Sequence, residues 1–125
     1  MDLGVERRLV IDHYALRNDG DGTCALRSWV LEGADELDAK QWTTLRKHDG
    51  DKKLEYRKAY AEGCWAVEGG DRAFRCFRVR TGPNPNAWFD HTLACGGIEL
   101  YGTLVPPVLP KSCQTERANG GNFAL

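Results

Sequence analysis

Nowhere in this chain does an apolar pattern hold a helical period for long. Tryptophans and β-branched residues come instead in brief runs that glycine, aspartate or proline cuts short. Leu26-Arg27-Ser28-Trp29-Val30-Leu31-Glu32-Gly33 is followed by Trp42-Thr43-Thr44-Leu45-Arg46-Lys47-His48, and much later by Gly97-Ile98-Glu99-Leu100-Tyr101-Gly102-Thr103-Leu104. Such residues in short alternating segments suit a half-buried pleated surface. The expectation is an all-β chain, an antiparallel sandwich or jelly roll.

A first strand is expected from Arg7 to Leu16, with Leu9, Ile11, His13 and Ala15 on one face and Val10, Asp12, Tyr14 and Leu16 on the other. Apolar groups on both faces mark it as an inner strand. Further strands are expected over Leu26 to Glu32, Gln41 to Lys47, Cys64 to Val67, Ala73 to Arg80 and Ile98 to Leu104. Helix competes with strand over residues 35 to 47, and strand is preferred because Trp42, Thr43 and Thr44 favour pleated structure. Residues 54 to 62 carry no legible period. Val105-Pro106-Pro107 ends the regular structure, because proline cannot donate to a sheet ladder, so residues 1 to 104 form the sandwich and residues 105 to 125 a mobile tail.

At 125 residues there is material for one core, and 17 basic against 18 acidic side chains leave no net field to draw in nucleic acid. No segment is apolar for long enough to be a signal peptide or a membrane span, which implies a cytoplasmic chain. The five cysteines, Cys24, Cys64, Cys76, Cys95 and Cys113, include no Cys-x-x-Cys pair. Reduced, mostly buried thiols are expected, with a Cys24 to Cys95 pairing as the alternative.

The order of Asp2-Leu3-Gly4, Tyr14-Ala15-Leu16-Arg17, the Leu26 to Gly33 and Trp42 to Leu45 runs, His48, Trp65, Phe74-Arg75-Cys76-Phe77-Arg78-Val79, Thr81-Gly82-Pro83-Asn84 and Gly97 to Gly102 resembles the later part of a discoidin-like, galactose-binding-like β-sandwich. The nearest type is the intracellular one of some HECT ubiquitin ligases and of BTB and kelch proteins. The resemblance implies a jelly roll whose opening strands are missing, since Asp-Leu-Gly stands beside Met1 here instead of well into the domain. Bare strand edges then imply self-association or low stability.

The resemblance places Trp29, Trp42, Trp65, Phe74 and Phe77 in the core. Binding is assigned to the loops, through Arg17, Asn18, Asp19 and Asp21 on one and Asn84, Asn86, Trp88, Phe89 and His91 on another. Trp88 is either an exposed anchor or a lid over its own loop. The expected partner is a protein or peptide, in a setting related to ubiquitin; a sugar or lipid headgroup is the second reading. No cofactor is expected, and no enzyme. Asp19-Gly20-Asp21-Gly22 lacks the closing glutamate of a calcium loop and reads as a turn, as does a solvated His48-Asp49-Gly50-Asp51. A thiol centre at Cys95 with His91 is the weakest alternative.

Overall fold

The computed structural model describes residues 1–68, 70–82, 85–88 and 92–105, and the backbone of residues 122–124. Its strands are β1 (Arg8–Arg17), β2 (Trp29–Ala34), β3 (Thr43–His48), β4 (Glu62–Ala66), β5 (Cys76–Thr81), β6 (Gly97–Val105) and β7 (Asn122–Ala124). They form an all-β sandwich of two antiparallel sheets, ordered β4-β1-β6-β7 and β3-β2-β5. Among the described residues there is no helix, so the helical alternative for residues 35 to 47 falls away. Past Val105 the backbone of Asn122–Ala124 returns to pair with the outer side of β6, opposite Tyr101 to Thr103.

One apolar cluster fills the space between the sheets: Leu9, Ile11, Tyr14, Leu16, Trp65 and Leu100 from one, Trp29, Leu31 and Phe77 from the other, with Leu26, Leu54 and Phe74 closing its margins. Burying each large side chain stabilises the fold by about 2–3 kcal/mol before its ordering entropy is subtracted. β1 lies between β4 and β6, an inner strand of its sheet, but that position covers its edges and not its faces.

The face assignment within β1 needs correction. Leu9 and Ile11 face the core, and so do Tyr14 and Leu16, which strict alternation would put on the opposite side. A bulge between Ile11 and His13 shifts the register against β6 and turns the second half of the strand over. No such shift occurs in β6, where Leu100 and Gly102 are buried and Ile98 and Leu104 pack against the core, as alternation requires.

Trp42 also departs from expectation. It lies outside the core, with its indole N–H donating to the Ala39 carbonyl at 3.1 Å and the Arg78 guanidinium 4.1 Å from its ring centre. The other four aromatics placed in the core are there. The cysteines differ as well: none of Cys24, Cys64, Cys76 and Cys95 is disulfide-bonded, but only Cys76 is buried, while Cys64 and Cys95 are exposed. Cys113 lies outside the described residues.

Candidate functional site

β1 to β6 run alternately up and down, so the connections following β1, β3 and β5 meet at one end of the sandwich. Backbone hydrogen bonds tie them together. Asn18 N–H donates to Ala61, Tyr60 to Asp19, Arg57 to Gly22, Asp51 to Arg27, Arg27 to Pro85 and Ala87 to Ala25. Gly96 closes the set by donating to the Arg17 carbonyl at 2.7 Å, and a Cβ there would stand 2.3 Å from the Asn18 carbonyl oxygen, so only glycine permits this approach. The two loops named from sequence therefore share one end, joined by a third, residues 49 to 61, whose sequence is a polar turn at its start and carries no legible period from residue 54 on.

Within this end the expected ligand-binding polar residues hold the loops in shape. Asn18 is buried, and its side-chain amide donates to the Glu55 and Lys58 carbonyls at 2.9 and 3.0 Å. Asn86 is buried too, donating to the Thr92 carbonyl at 2.8 Å and accepting the Trp88 N–H at 2.9 Å. Asp19 caps the N–H groups of Asp21 and Gly22, and Asp21 accepts from the N–H and hydroxyl of Thr23, which is the chemistry of a turn. Arg17 pairs with Glu62 at 2.9 Å on the surface. Asn84, Phe89 and His91 lie outside the described residues, and with His91 goes the partner of the Cys95 thiol.

Beside exposed charges such as Glu55, Arg57 and Lys58, this end offers aromatic side chains to solvent. Trp88 is 56% exposed, Tyr60 63% and Tyr56 43%, with Leu93 at 50%. Trp88 is thus no lid on the core. Arg57 and Tyr60 hold left-handed backbones, at φ of 60° and 57°, a conformation that costs a side-chain-bearing residue about 1 kcal/mol or more. The hydrogen bonds from Arg57 to Gly22 and from Tyr60 to Asp19 hold that loop in place. Sequence reading missed Tyr56, Tyr60 and Leu93. The signal was present as two tyrosines among lysines and glutamates, too polar a setting for core aromatics.

His48 and Asp51 form a second cluster, just beneath the same end. Asp49 and Gly50 form an exposed bend, as a solvated turn requires, but His48 and Asp51 on either side of it belong to a chain of hydrogen bonds that runs into the core. Trp29 Nε1–H donates to the Tyr14 hydroxyl at 2.8 Å, and the Tyr14 hydroxyl donates to His48 Nε2 at 2.5 Å. His48 Nδ1–H then donates to Asp51 Oδ2 at 2.9 Å, and Trp65 Nε1–H reaches the same oxygen at 2.9 Å. The imidazole stacks on Trp29, ring centres 3.9 Å apart, and is 4% exposed. A His–Asp pair can serve as a general base, but here Nε2 is spent on Tyr14 within the core. The pair is a clasp joining β1, β2 and β3 to the loop after β3.

Burial pushes the His48 imidazole below its ordinary pKa of 6.5, against the pull of Asp51. Burial alone would raise the Asp51 carboxyl, but the Lys53 N–H, His48 and Trp65 outweigh it and hold it below 3.8. Both groups bind fewer protons in the folded chain than in the unfolded one. Stability is therefore level above pH 6.5, falls as the pH drops from 6.5 toward the folded pKa of His48, and falls again below the ordinary carboxylate range. Urea midpoints measured from pH 8 to pH 2 test this, and His48→Gln will flatten the first decline while leaving the second.

No family model matches the sequence, and no solved structure matches it. Curated relatives do. The chain is 37% identical over 116 residues to the E3 ubiquitin-protein ligase hecd-1 of Caenorhabditis elegans, an alignment covering 91% of this chain and 4% of that protein. It is 33% identical over 105 residues to a BTB/POZ domain-containing protein of Arabidopsis thaliana, covering 82% and 12%. It is also 33% identical over 107 residues to an E3 ubiquitin-protein ligase of Drosophila melanogaster, covering 84% and 4%. The chain thus spans 4 to 12% of the length of these relatives. They correct the expectation of no enzyme, because ubiquitin ligases are enzymes and two of these proteins bear that name. Among the described residues no helix is long and apolar enough to cross a membrane.

Proposed function

We propose that this chain is a partner-recognition module of the kind found within ubiquitin-ligase and BTB polypeptides, a discoidin-like sandwich that works in the cytoplasm. Its three-loop end grips a protein segment. The observation that carries this reading is the exposure of Trp88, Tyr60 and Tyr56 at 56, 63 and 43% on loops tied to one another by backbone hydrogen bonds. Large, rigid aromatic groups on a fixed frame lose little entropy on binding and supply much of the contact energy of protein interfaces. The absence of a strong net charge and the turn-capping duty of Asp19 and Asp21 favour apolar over polyanionic or sugar ligands.

The test is affinity capture by the full chain against the Tyr60→Ala, Trp88→Ala double variant. The variant should lose at least about tenfold in recovery of the bound protein. Its melting temperature should stay within about 3 °C, because both side chains project into solvent. Equal recovery by the two chains, or a matching drop in stability, defeats the reading.

A further inference from the structure

In β2, Trp29 and Leu31 point into the core, so Val30 and Glu32 point out of the sandwich, and the residues directly opposite them on β3 and β5 point the same way. The outer face of this sheet therefore carries two rows. One is Lys47, Val30 and Arg80, and the other is Thr44, Glu32 and Arg78. Two strand spacings set the backbones of Lys47 and Arg80 about 10 Å apart, with only Val30 between them. Over Val30 the face is hollow, a depression of about 470 Å³ whose lining includes Ser28, Thr44, Lys47, Asp49 and Arg80.

The charges around this hollow do not cancel. Glu32 is buried beneath both guanidiniums, 2.8 Å from Arg78 and 3.1 Å from Arg80, and Arg78 also stacks on Trp42. One carboxylate matches one guanidinium, and the Arg80 side chain stays 55% exposed. Lys47 is exposed as well, and among the described residues its ammonium has no carboxylate within ion-pair distance, Asp49 on the rim included. Neutral donors stand beside these cations. The Ser28 hydroxyl accepts the Gly50 N–H at 3.0 Å and keeps its own proton to donate, and Thr44 is exposed. Two cations across an apolar floor, flanked by hydroxyls, suit a group that spreads close to two negative charges over three oxygens.

We infer that the hollow over Val30 is a binding site for a phosphate monoester carried by a serine or threonine of a partner protein. Lys47 and Arg80 take its charge from either side, Ser28 and Thr44 donate to its oxygens, and Val30 packs beneath the ester carbon. A carboxylate, with one charge and two oxygens, is too small to span both cations. Nucleic acid and anionic lipid surfaces call for a broad basic field, and a chain with 17 basic and 18 acidic side chains presents none. Trp88, Tyr60 and Tyr56 line no part of this hollow, so it stands apart from the aromatic loop end.

The experiment follows the amide NMR signals of the intact, isotope-labelled chain during titration with a short glycine-alanine peptide that holds a central phosphoserine. The same peptide with serine, the same peptide with glutamate, and phosphatidylcholine vesicles containing a phosphoinositide monophosphate are the comparisons. The phosphopeptide should shift the signals of Val30, Lys47 and Arg80 and bind at least about tenfold tighter than the glutamate peptide, the gap shrinking at high salt. The serine peptide should shift none of them. Lys47→Gln should weaken the phosphopeptide at least about tenfold with a melting temperature within about 3 °C of the parent, and Arg80→Gln, which leaves Arg78 on Glu32, should weaken it likewise. The Tyr60→Ala, Trp88→Ala chain should bind the phosphopeptide unchanged, which separates failure here from failure of the loop-end reading. Equal binding of the phosphoserine and glutamate peptides, shifts confined to other amides, undiminished binding by both Lys47→Gln and Arg80→Gln, or vesicles that bind as tightly as the phosphopeptide overturns the proposal.

Discussion

Asp51→Ala will lower the stability of the fold by about 3 kcal/mol, a fall of roughly 10 °C in melting temperature for a chain of this size. The carboxylate is small, but three donors depend on it. His48 Nδ1–H and Trp65 Nε1–H share Oδ2, each at 2.9 Å, and the Lys53 N–H donates to Oδ1 at 2.9 Å. Alanine strands the two ring donors, while the exposed Lys53 N–H turns to water. Those two donors belong to rings packed against Trp29 and Tyr14, and the carboxylate between them is only 23% exposed. The loss of a buried acceptor costs the full desolvation of each stranded donor, which exceeds what the bond itself contributed.

Tyr14→Phe provides the comparison. It removes the hydroxyl that accepts from Trp29 and donates to His48, but keeps the ring volume and strands only one donor. Its cost should be about half that of Asp51→Ala. Asp51→Asn should fall between the two, since an amide keeps one accepting oxygen. Denaturant midpoints at pH 7.5 give all three values. A loss below about 1 kcal/mol for Asp51→Ala would mean that water replaces the carboxylate freely and that the chain of bonds is no clasp.

The strands were legible because their signal is local: Gly97 to Val105 alternates as a half-buried strand does, Trp29 to Ala34 is a short run led by Trp, Val and Leu, and their ends carry glycine or proline. The bulge in β1 was not, because nothing in Val10-Ile11-Asp12-His13 marks an extra residue; it is read only when Tyr14 must reach Trp29 and His48. Trp42 misled for a related reason. An indole fits a core, but it also makes a platform for a guanidinium, and Arg78, distant in sequence, decides which. At the loop end the amides of Asn18 and Asn86, expected to contact a ligand, bond within the fold, while Trp88 stands exposed. Polar turn residues look alike whether they face a ligand or a backbone carbonyl. Tyr60 has polar neighbours that signal its exposure, but its left-handed backbone and its bond to Asp19 are visible only in the fold.

Gly102→Ala is expected to be at least as damaging as Asp51→Ala, through geometry alone. Gly102 stands on β6 opposite Ile11, where the β1 bulge begins. A Cβ built there lies 2.0 Å from the Val10 carbonyl oxygen and 2.9 Å from Ile11 Cα. Both are backbone atoms, so no rotamer change relieves the contact. The strands must separate, which breaks hydrogen bonds in the central pair of the larger sheet, or the bulge must be ironed out, which turns Tyr14 and Leu16 away from the core. Either route costs about 3 kcal/mol or more. Gly50→Ala is the control for a substitution limited by backbone conformation: its φ is 64° but nothing lies within 4 Å, so its cost should be about 1 kcal/mol. Chemical denaturation of the two variants separates crowding from conformational strain. If Gly102→Ala matches Gly50→Ala, β1 and β6 have room to move apart, and the tight crossing at the bulge is not what fixes the register of the sheet.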